Sequence, residues 1–204
     1  MEVDSKNLIP DIRYLNDMRE VVYDKEWLKT AGNSELYYMY RGIEEKDGIR
    51  YDITIIPPVM LGAEFVKTKG HYHVQGHQEI YTVLDGETIY LMQKADSNHP
   101  ENIEDVYAVK ARKGDTIIIP RFYGHTTTNP SATKELKMAN WVSTQCRSDY
   151  SLYEKMQGAC YYYLAAADGG ASWLKNKNYK NVPPLRFEKP LKSVPENLDF
   201  LKEK

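Results

Sequence analysis

Three histidines and one glutamate carry the clearest chemistry in the sequence. His71 and His73 are two residues apart, so on a β-strand both imidazoles project from the same face. Five residues then separate His73 from Glu79, which begins another strand-like run. Two imidazoles and one carboxylate form a facial set that holds a divalent metal and leaves positions open for substrate or water. His125, at the start of a later strand-like run, is the fourth candidate ligand.

Short strands must position these four side chains. From residue 35 onward, apolar and polar residues alternate with a period of two. The strand-like runs cover residues 35–41, 51–56, 63–68, 79–84, 87–93, 105–110, 115–119, 125–128 and 136–142. Asp85-Gly86 lies between two runs and predicts a tight hairpin over residues 79–93. Many short strands without long helices between them predict an all-β antiparallel barrel or sandwich.

The segments on either side of the strands differ from them in pattern. Residues 1–34 predict one or two short helices that pack onto the main body through Trp27 and Leu28. A helix is predicted over residues 151–159 and a strand over residues 160–166. The proline-rich tail from Asn176 should not sustain a sheet ladder, and we expect it to lie on the surface or cross to a partner subunit. One domain over residues 1–204 follows, with an N-terminal segment (1–34), a barrel core (35–145) and a C-terminal part (146–204).

Composition excludes several classes of protein. The 204 residues carry a net charge of -2 and are 42% hydrophobic, so we expect a folded domain without nucleic-acid or membrane partners. No apolar run approaches the roughly 20 residues of a membrane-spanning helix, and the start lacks a signal-peptide pattern, which predicts a cytoplasmic location. Cys146 and Cys160 are too few for a disulfide scaffold and lack the spacing of metal ligands, so we expect buried or incidental thiols. His77 and His99 are expected at surface or loop positions.

Two segments resemble the paired motifs of the cupin superfamily. In the first, six residues separate Glu79 from Gly86; in the second, five separate Gly114 from Pro120, and three separate His125 from Asn129. The resemblance implies a jelly-roll barrel that binds one divalent metal ion per subunit. Fe²⁺ is the first choice, with Mn²⁺, Ni²⁺ and Zn²⁺ as alternatives. The implied ligands are His71, His73, Glu79 and His125.

A narrower resemblance is carried by the run from Thr68 to His73, by Glu79-Ile80-Tyr81 and by Thr54. These segments resemble the cupin-type phosphoglucose isomerases of archaea and some bacteria, which interconvert glucose 6-phosphate and fructose 6-phosphate in glycolysis and gluconeogenesis. Hydroxyls and a glycine amide can bind a phosphate without a Walker loop. The resemblance implies that the sugar phosphate is lined by Thr54, Thr68, Gly70 and Tyr81, with Trp141 where the family has a tyrosine.

The resemblance also implies a mechanism. A metal would polarise the oxygens at C1 and C2, and Glu79 would carry a proton between these carbons through an enediol; a metal-assisted hydride shift stays open. Other readings are another metal-dependent cupin enzyme, such as an oxygenase or a different sugar isomerase, and a non-catalytic cupin that binds a sugar or a metal. Exposed strand edges and the apolar N-terminal segment suggest a homodimer.

Overall fold

The computed structural model describes residues 9–202, so the predictions for residues 1–8 and 203–204 lie outside the described residues. Short strands dominate this range. They are β1 (Asp11–Tyr14), β2 (Glu35–Lys46), β3 (Ile49–Ile56), β4 (Met60–Leu61), β5 (Glu64–Phe65), β6 (Tyr72–His73), β7 (Glu79–Asp85), β8 (Glu87–Ala95), β9 (Ile103–Arg112), β10 (Thr116–Ile119), β11 (Gly124–Thr128), β12 (Leu136–Ser143), β13 (Ser148–Asp149), β14 (Tyr161–Ala165), β15 (Ala171–Lys175) and β16 (Arg186–Glu188). The α-helices are α1 (Lys25–Leu28) and α2 (Ser151–Lys155). Within residues 9–202, no helix is long and apolar enough to cross a bilayer.

Two sheets face each other and form the body of the fold. The larger has the strand order β1-β2-β3-β12-β7-β10, and the smaller has the order β11-β8-β9-β16. Apolar side chains of both sheets are buried in one cluster, for example Val83 and Met138 from the larger sheet and Leu91 and Val109 from the smaller. The predicted all-β, antiparallel jelly-roll fold is confirmed, with β16 as a parallel addition to β9.

The predicted hairpin over residues 79–93 is wrong. β7 pairs with β10 and β12, whereas β8 pairs with β9 and β11, so the chain passes from one sheet to the other at Gly86. Gly86 has φ +82°, and a Cβ there would lie 2.5 Å from the carbonyl oxygen of Glu135. A local turn signal indicates that the chain bends but does not fix the partner strand. A hairpin does form at Asp47-Gly48, where both residues have positive φ and β2 pairs with β3.

The N-terminal part is more extended than predicted. β1 adds to the edge of β2, and α1 begins where the Asp24 side chain accepts a hydrogen bond from the Trp27 amide at 2.9 Å. The strand predicted over residues 63–68 is reduced to β5. Beyond it, a buried Lys67 pairs with Glu64 and donates to the Val21 carbonyl at 2.9 Å. The hydrogen bond to Val21 links the N-terminal segment to the barrel.

The C-terminal part corrects one prediction. β14 agrees with the predicted strand to within a residue, α2 is shorter than predicted, and β15 was not predicted. The tail does sustain a short ladder, because β16 pairs with Tyr107–Val109 of β9 and Leu191 forms a bridge with Thr116 of β10. The three residues of β16 contain no proline, so they keep the amides that a ladder needs. The tail therefore covers the edges of the chain's own sheets.

Candidate metal centre and its cavity

The four predicted metal ligands converge at one point between the two sheets. Ligand atoms of His71, His73, Glu79 and His125 all lie within 4.8 Å of one another. Two atoms bound to one ion at 2.1 Å each can be about 4.2 Å apart, so a small contraction would bring the set onto one ion. The convergence predicted from the sequence is confirmed.

Backbone pairing fixes two of these ligands beside each other. The amide of His71 donates to the carbonyl of His125 at 3.3 Å, and the amide of His125 donates to the carbonyl of His71 at 3.0 Å. Residues that exchange both hydrogen bonds in an antiparallel pair place their side chains on the same face. The two imidazole centroids are 4.5 Å apart as a result.

The loop between His73 and Glu79 orients the third imidazole. His73 Nδ1 donates to the His77 carbonyl at 2.8 Å, which leaves Nε2 to face Glu79 Oε2 at 3.2 Å. Gly76 has φ +70°, and a Cβ there would lie 2.5 Å from the ring of Phe122, so the tight loop requires glycine. Such a bond to the distal nitrogen is typical of histidines that bind metals.

The predictions for the two remaining histidines have different outcomes. His99 is exposed, as predicted. His77 lies in the loop, but the surface position considered for it is wrong, because only 1% of it is exposed. The loop turns inward so that the His77 carbonyl reaches the His73 ring.

The carboxylate of Glu79 has one oxygen supported and one oxygen left for an ion. Oε1 accepts a 2.6 Å hydrogen bond from Asn140 Nδ2. Oε2 is buried and accepts no hydrogen bond within residues 9–202, although it lies 3.5 Å from His125 Nε2. A buried carboxylate oxygen without a donor is costly unless a cation is present. This observation shows that the residues fit a divalent metal.

Electrostatics favour metal binding by the imidazoles. Burial, and then the neighbouring His73, lower the pKa of His71 well below its usual value. Burial, and then His71, do the same to the pKa of His125. Burial also opposes the charged form of His73, but Cys146 and Glu79 outweigh it and raise its pKa to about 10. The carboxylate thus attracts a positive charge, which a divalent ion supplies while the imidazoles stay neutral.

The predicted sugar-phosphate residues, with one exception, line the same cavity. Its lining includes Thr54, Thr68, Gly70 and Tyr81 together with the four ligands. The empty space between these residues is about 660 Å³ when the open solvent at its mouth is included. Thr54 and Tyr81 project from β3 and β7, whereas Thr68 and Gly70 lie on the irregular segment before β6.

The prediction that Trp141 lines the sugar site is wrong. Trp141 lies on the opposite face of β12, where it packs against a small cluster that contains Ile80 and Leu201. Its ring is tilted by 47° relative to that of Tyr51, with the two ring centroids 4.9 Å apart. Its neighbours Asn140 and Val142 line the cavity instead. Because side chains alternate along a strand, an alignment error of one residue moves a side chain to the other face.

Several cavity residues were missed by the sequence analysis. Tyr37 and Tyr150 line the cavity near Lys69, whose amide donates to the Tyr37 hydroxyl at 3.2 Å. The further residues that were missed are Arg41, Arg50, Asp52, Asn140, Cys146 and Ser148. Asn140 gave a usable signal, because it is a polar residue between the apolar Met138 and Val142 on the inward-facing side of β12.

Comparison with known proteins identifies the family. The family model for glucose-6-phosphate isomerase matches residues 13–183. The chain belongs to this glucose-6-phosphate isomerase family. The match covers both the metal ligands and the predicted sugar-phosphate residues, and it confirms the resemblance stated from the motifs.

Curated members of the glucose-6-phosphate isomerase family are similar over part of the chain. A glucose-6-phosphate isomerase from Thermococcus litoralis is 31% identical over 130 residues, which are 61% of this chain and 65% of that protein. One from Pyrococcus abyssi is 31% identical over 124 residues, which are 58% of this chain and 62% of that protein. The chain thus spans less than two thirds of the length of these relatives.

A solved structure has also been found to be similar. It is that of a predicted oxalate decarboxylase from Thermotoga maritima, with 19% identity and a TM-score of 0.43. The comparison covers 69% of this chain and 96% of that chain.

Proposed function

We propose that this member of the glucose-6-phosphate isomerase family interconverts glucose 6-phosphate and fructose 6-phosphate with one bound divalent metal ion. The observation that carries the proposal is that one cavity holds two features. One is the set of four candidate metal ligands, and the other is a hydroxyl-lined wall, formed by the hydroxyls of Thr54 and Thr68 together with the backbone amide of Gly70. An aldose-ketose isomerase that acts on a phosphorylated sugar needs both features. Fe²⁺ is the ion we propose, because three imidazoles and one carboxylate suit it.

The hydroxyl-lined wall would bind the phosphate. The hydroxyls of Thr54 and Thr68 and the amide of Gly70 are donors of the kind that phosphate oxygens accept. Lys69 also lines the cavity, and its ion pair with Glu154 at 2.6 Å holds the ammonium group in place at this end. A sugar phosphate bound there would extend its carbonyl end toward Glu79.

The chemistry is proposed for the opposite end of the cavity. When bound, the metal supplies Lewis-acid stabilisation of the negative charge that develops on the oxygens at C1 and C2. Glu79 takes the proton from C2 of the aldose and returns it to C1. Asn140 fixes the plane of this carboxylate through Oε1, so the proton carrier approaches both carbons from one side of the sugar. Glu79 is only 4% exposed, which limits loss of the proton to solvent.

Two measurements on the wild-type protein test this proposal. The purified, metal-loaded protein should convert fructose 6-phosphate to glucose 6-phosphate, and a chelator should abolish turnover until a divalent metal is restored. In heavy water, the product should carry deuterium at C2, because a proton held on a carboxylate exchanges in part with solvent. Turnover without deuterium would support a hydride shift and leave Glu79 as a ligand alone. No turnover with any metal would refute the isomerase proposal.

A variant comparison isolates Glu79. Glu79→Gln keeps the shape of the side chain but cannot accept a proton, so turnover should be lost along with deuterium incorporation. Glu45→Gln, at an exposed position on β2, should behave like the wild type. Metal content must be measured in both variants, because Glu79→Gln also weakens a ligand. Normal turnover by a metal-loaded Glu79→Gln protein would contradict its role as proton carrier.

A further inference from the structure

A cluster of charged side chains lies in the cavity beside the metal centre. Asp52 is 3% exposed and accepts hydrogen bonds from the Gly42 amide at 2.8 Å and from Arg50 Nε at 3.0 Å. Arg41 Nη1 lies 3.7 Å from the same carboxylate. The cluster therefore pairs two guanidinium groups with one buried carboxylate, and it holds Arg50 in a defined orientation.

The sheet register places Arg50 at the end of the cavity that holds the four candidate metal ligands, which is called the metal end below. Val142 of β12 lies opposite Arg50 of β3 on one side and opposite Glu79 of β7 on the other. Arg50 and Glu79 are thus two strands apart on one rung, with backbones separated by about 10 Å. Both line the cavity. Glu79 is also among the charges that raise the pKa of Arg50.

Thr54 lies at a different level of the same strand. It is four residues beyond Arg50 on β3, a distance of roughly 13 Å along the strand. A phosphate bound at Thr54 would therefore leave Arg50 free to meet the other end of the ligand. The one hydrogen bond that the structure gives to the Arg50 side chain, within residues 9–202, leaves from Nε. A guanidinium has two further nitrogens that can bind an anionic group.

We propose that Arg50, oriented by Asp52, binds negative charge at the C1–C2 end of the ligand, so that the cavity prefers phosphorylated sugar derivatives that are anionic at that end. The inference rests on the proposed function for the position of the phosphate. In the isomerisation, the open-chain sugar is uncharged at C1 and C2, whereas the enediolate is anionic. A fixed guanidinium stabilises the second species more than the first and would act together with the metal.

Binding of two stable ligands tests the proposal without turnover. The probes are a 6-phosphorylated aldonate, with a carboxylate at C1, and the corresponding 6-phosphorylated alditol, with a hydroxyl at C1. By calorimetry, the metal-loaded wild-type protein should bind the aldonate at least tenfold more tightly. Arg50→Gln should lose about tenfold in affinity for the aldonate and less than twofold for the alditol. Arg50→Lys should keep most of the preference, and Arg112→Gln, at an exposed position, should keep all of it.

Controls separate this inference from metal and folding effects. The aldonate carboxylate also interacts with a bound metal, so metal content must be equal in all proteins, and thermal melting must show that each is folded. Equal weakening of both ligands in Arg50→Gln, or an unchanged preference, would overturn the role of Arg50. If Arg50→Gln does not fold, the preference is judged on Arg50→Lys, where a loss equal for both ligands overturns the proposal. A wild-type protein that isomerises but shows no preference overturns this inference alone. A wild-type protein that binds neither ligand overturns the proposed function as well.

Discussion

The two ends of the cavity are built in different ways. At the metal end, each ligand is fixed by another group: His71 and His125 by their shared backbone pair, His73 by the His77 carbonyl, and Glu79 by Asn140. At the hydroxyl end, the lining comes from Thr54 of β3, from the segment before β6 and from the C-terminal part, which supplies Tyr150 and the ion-pair partner of Lys69. That partner, Glu154, has a side chain that is 39% exposed.

The two ends should therefore differ in the substitutions that they tolerate. The metal end is held by sheet pairing, so the loss of a single ligand cannot be compensated by a neighbour. The hydroxyl end depends on separate donors, each of which contributes a modest share of the binding free energy. We therefore expect losses at the metal end to abolish function and losses at the hydroxyl end to weaken substrate binding.

The largest effect is expected for a lost metal ligand. His125→Ala should lose bound metal and reduce kcat/KM by about a thousandfold, because Lewis-acid stabilisation is worth several kcal/mol. Elemental analysis and isomerase assay measure the two losses. His99→Ala removes an exposed imidazole and should change neither. Full metal content in His125→Ala would contradict the expectation that the metal end cannot tolerate the loss of a ligand.

An intermediate effect is expected for the group that supports a ligand. Asn140→Ala removes the donor to Glu79 Oε1 and should weaken metal affinity by about 10-fold to 100-fold, as is typical of groups behind the ligands. Competition with a chromophoric chelator measures this affinity. The matched control is Trp141→Phe, a change at the next residue on the opposite face of β12, which should leave both metal affinity and KM unchanged. A raised KM in Trp141→Phe would indicate that Trp141 contributes to the sugar site after all.

The smallest effect is expected at the hydroxyl end. Thr54→Val keeps the shape of the side chain and removes one donor, so KM for fructose 6-phosphate should rise by roughly tenfold, since a hydrogen bond to a charged group is worth about 1.5–3 kcal/mol. The value of kcat should change little, because the same bond is made in the ground state and the transition state. Thr82→Val, at a half-buried position where the hydroxyl contacts Thr116, is the control. A large fall in kcat with normal KM would place Thr54 in the chemistry instead.

The sequence predicted which four side chains converge, and it predicted their surroundings less well. His71, His73 and Glu79 are close along the chain, so the period of a strand and one glycine loop are enough to bring them together. Asn140 and Arg50 come from strands whose register is set by long-range pairing. Local periodicity shows that such residues alternate between faces but not which face meets the cavity. The family resemblance implied Trp141, which lies one residue away from the positions of β12 that line the cavity.

The fold shows the same division between local and long-range information. The strands of the barrel follow from alternation and turn residues, and most of them were predicted. The passage between sheets at Gly86 and the addition of β16 to β9 depend on which strands become neighbours. No pattern within a short window encodes that choice, so the first was predicted as a hairpin and the second as a tail without a ladder.

A crystal structure of the metal-loaded protein with bound fructose 6-phosphate would show whether one cavity binds the metal ion and the sugar phosphate together. Anomalous scattering should locate one metal ion among His71, His73, Glu79 and His125. The phosphate should lie at Thr54, Thr68 and Gly70, with C1 and C2 directed toward Glu79. A phosphate bound at Arg50, or a metal ion bound away from these four side chains, would refute the proposed arrangement of metal and substrate.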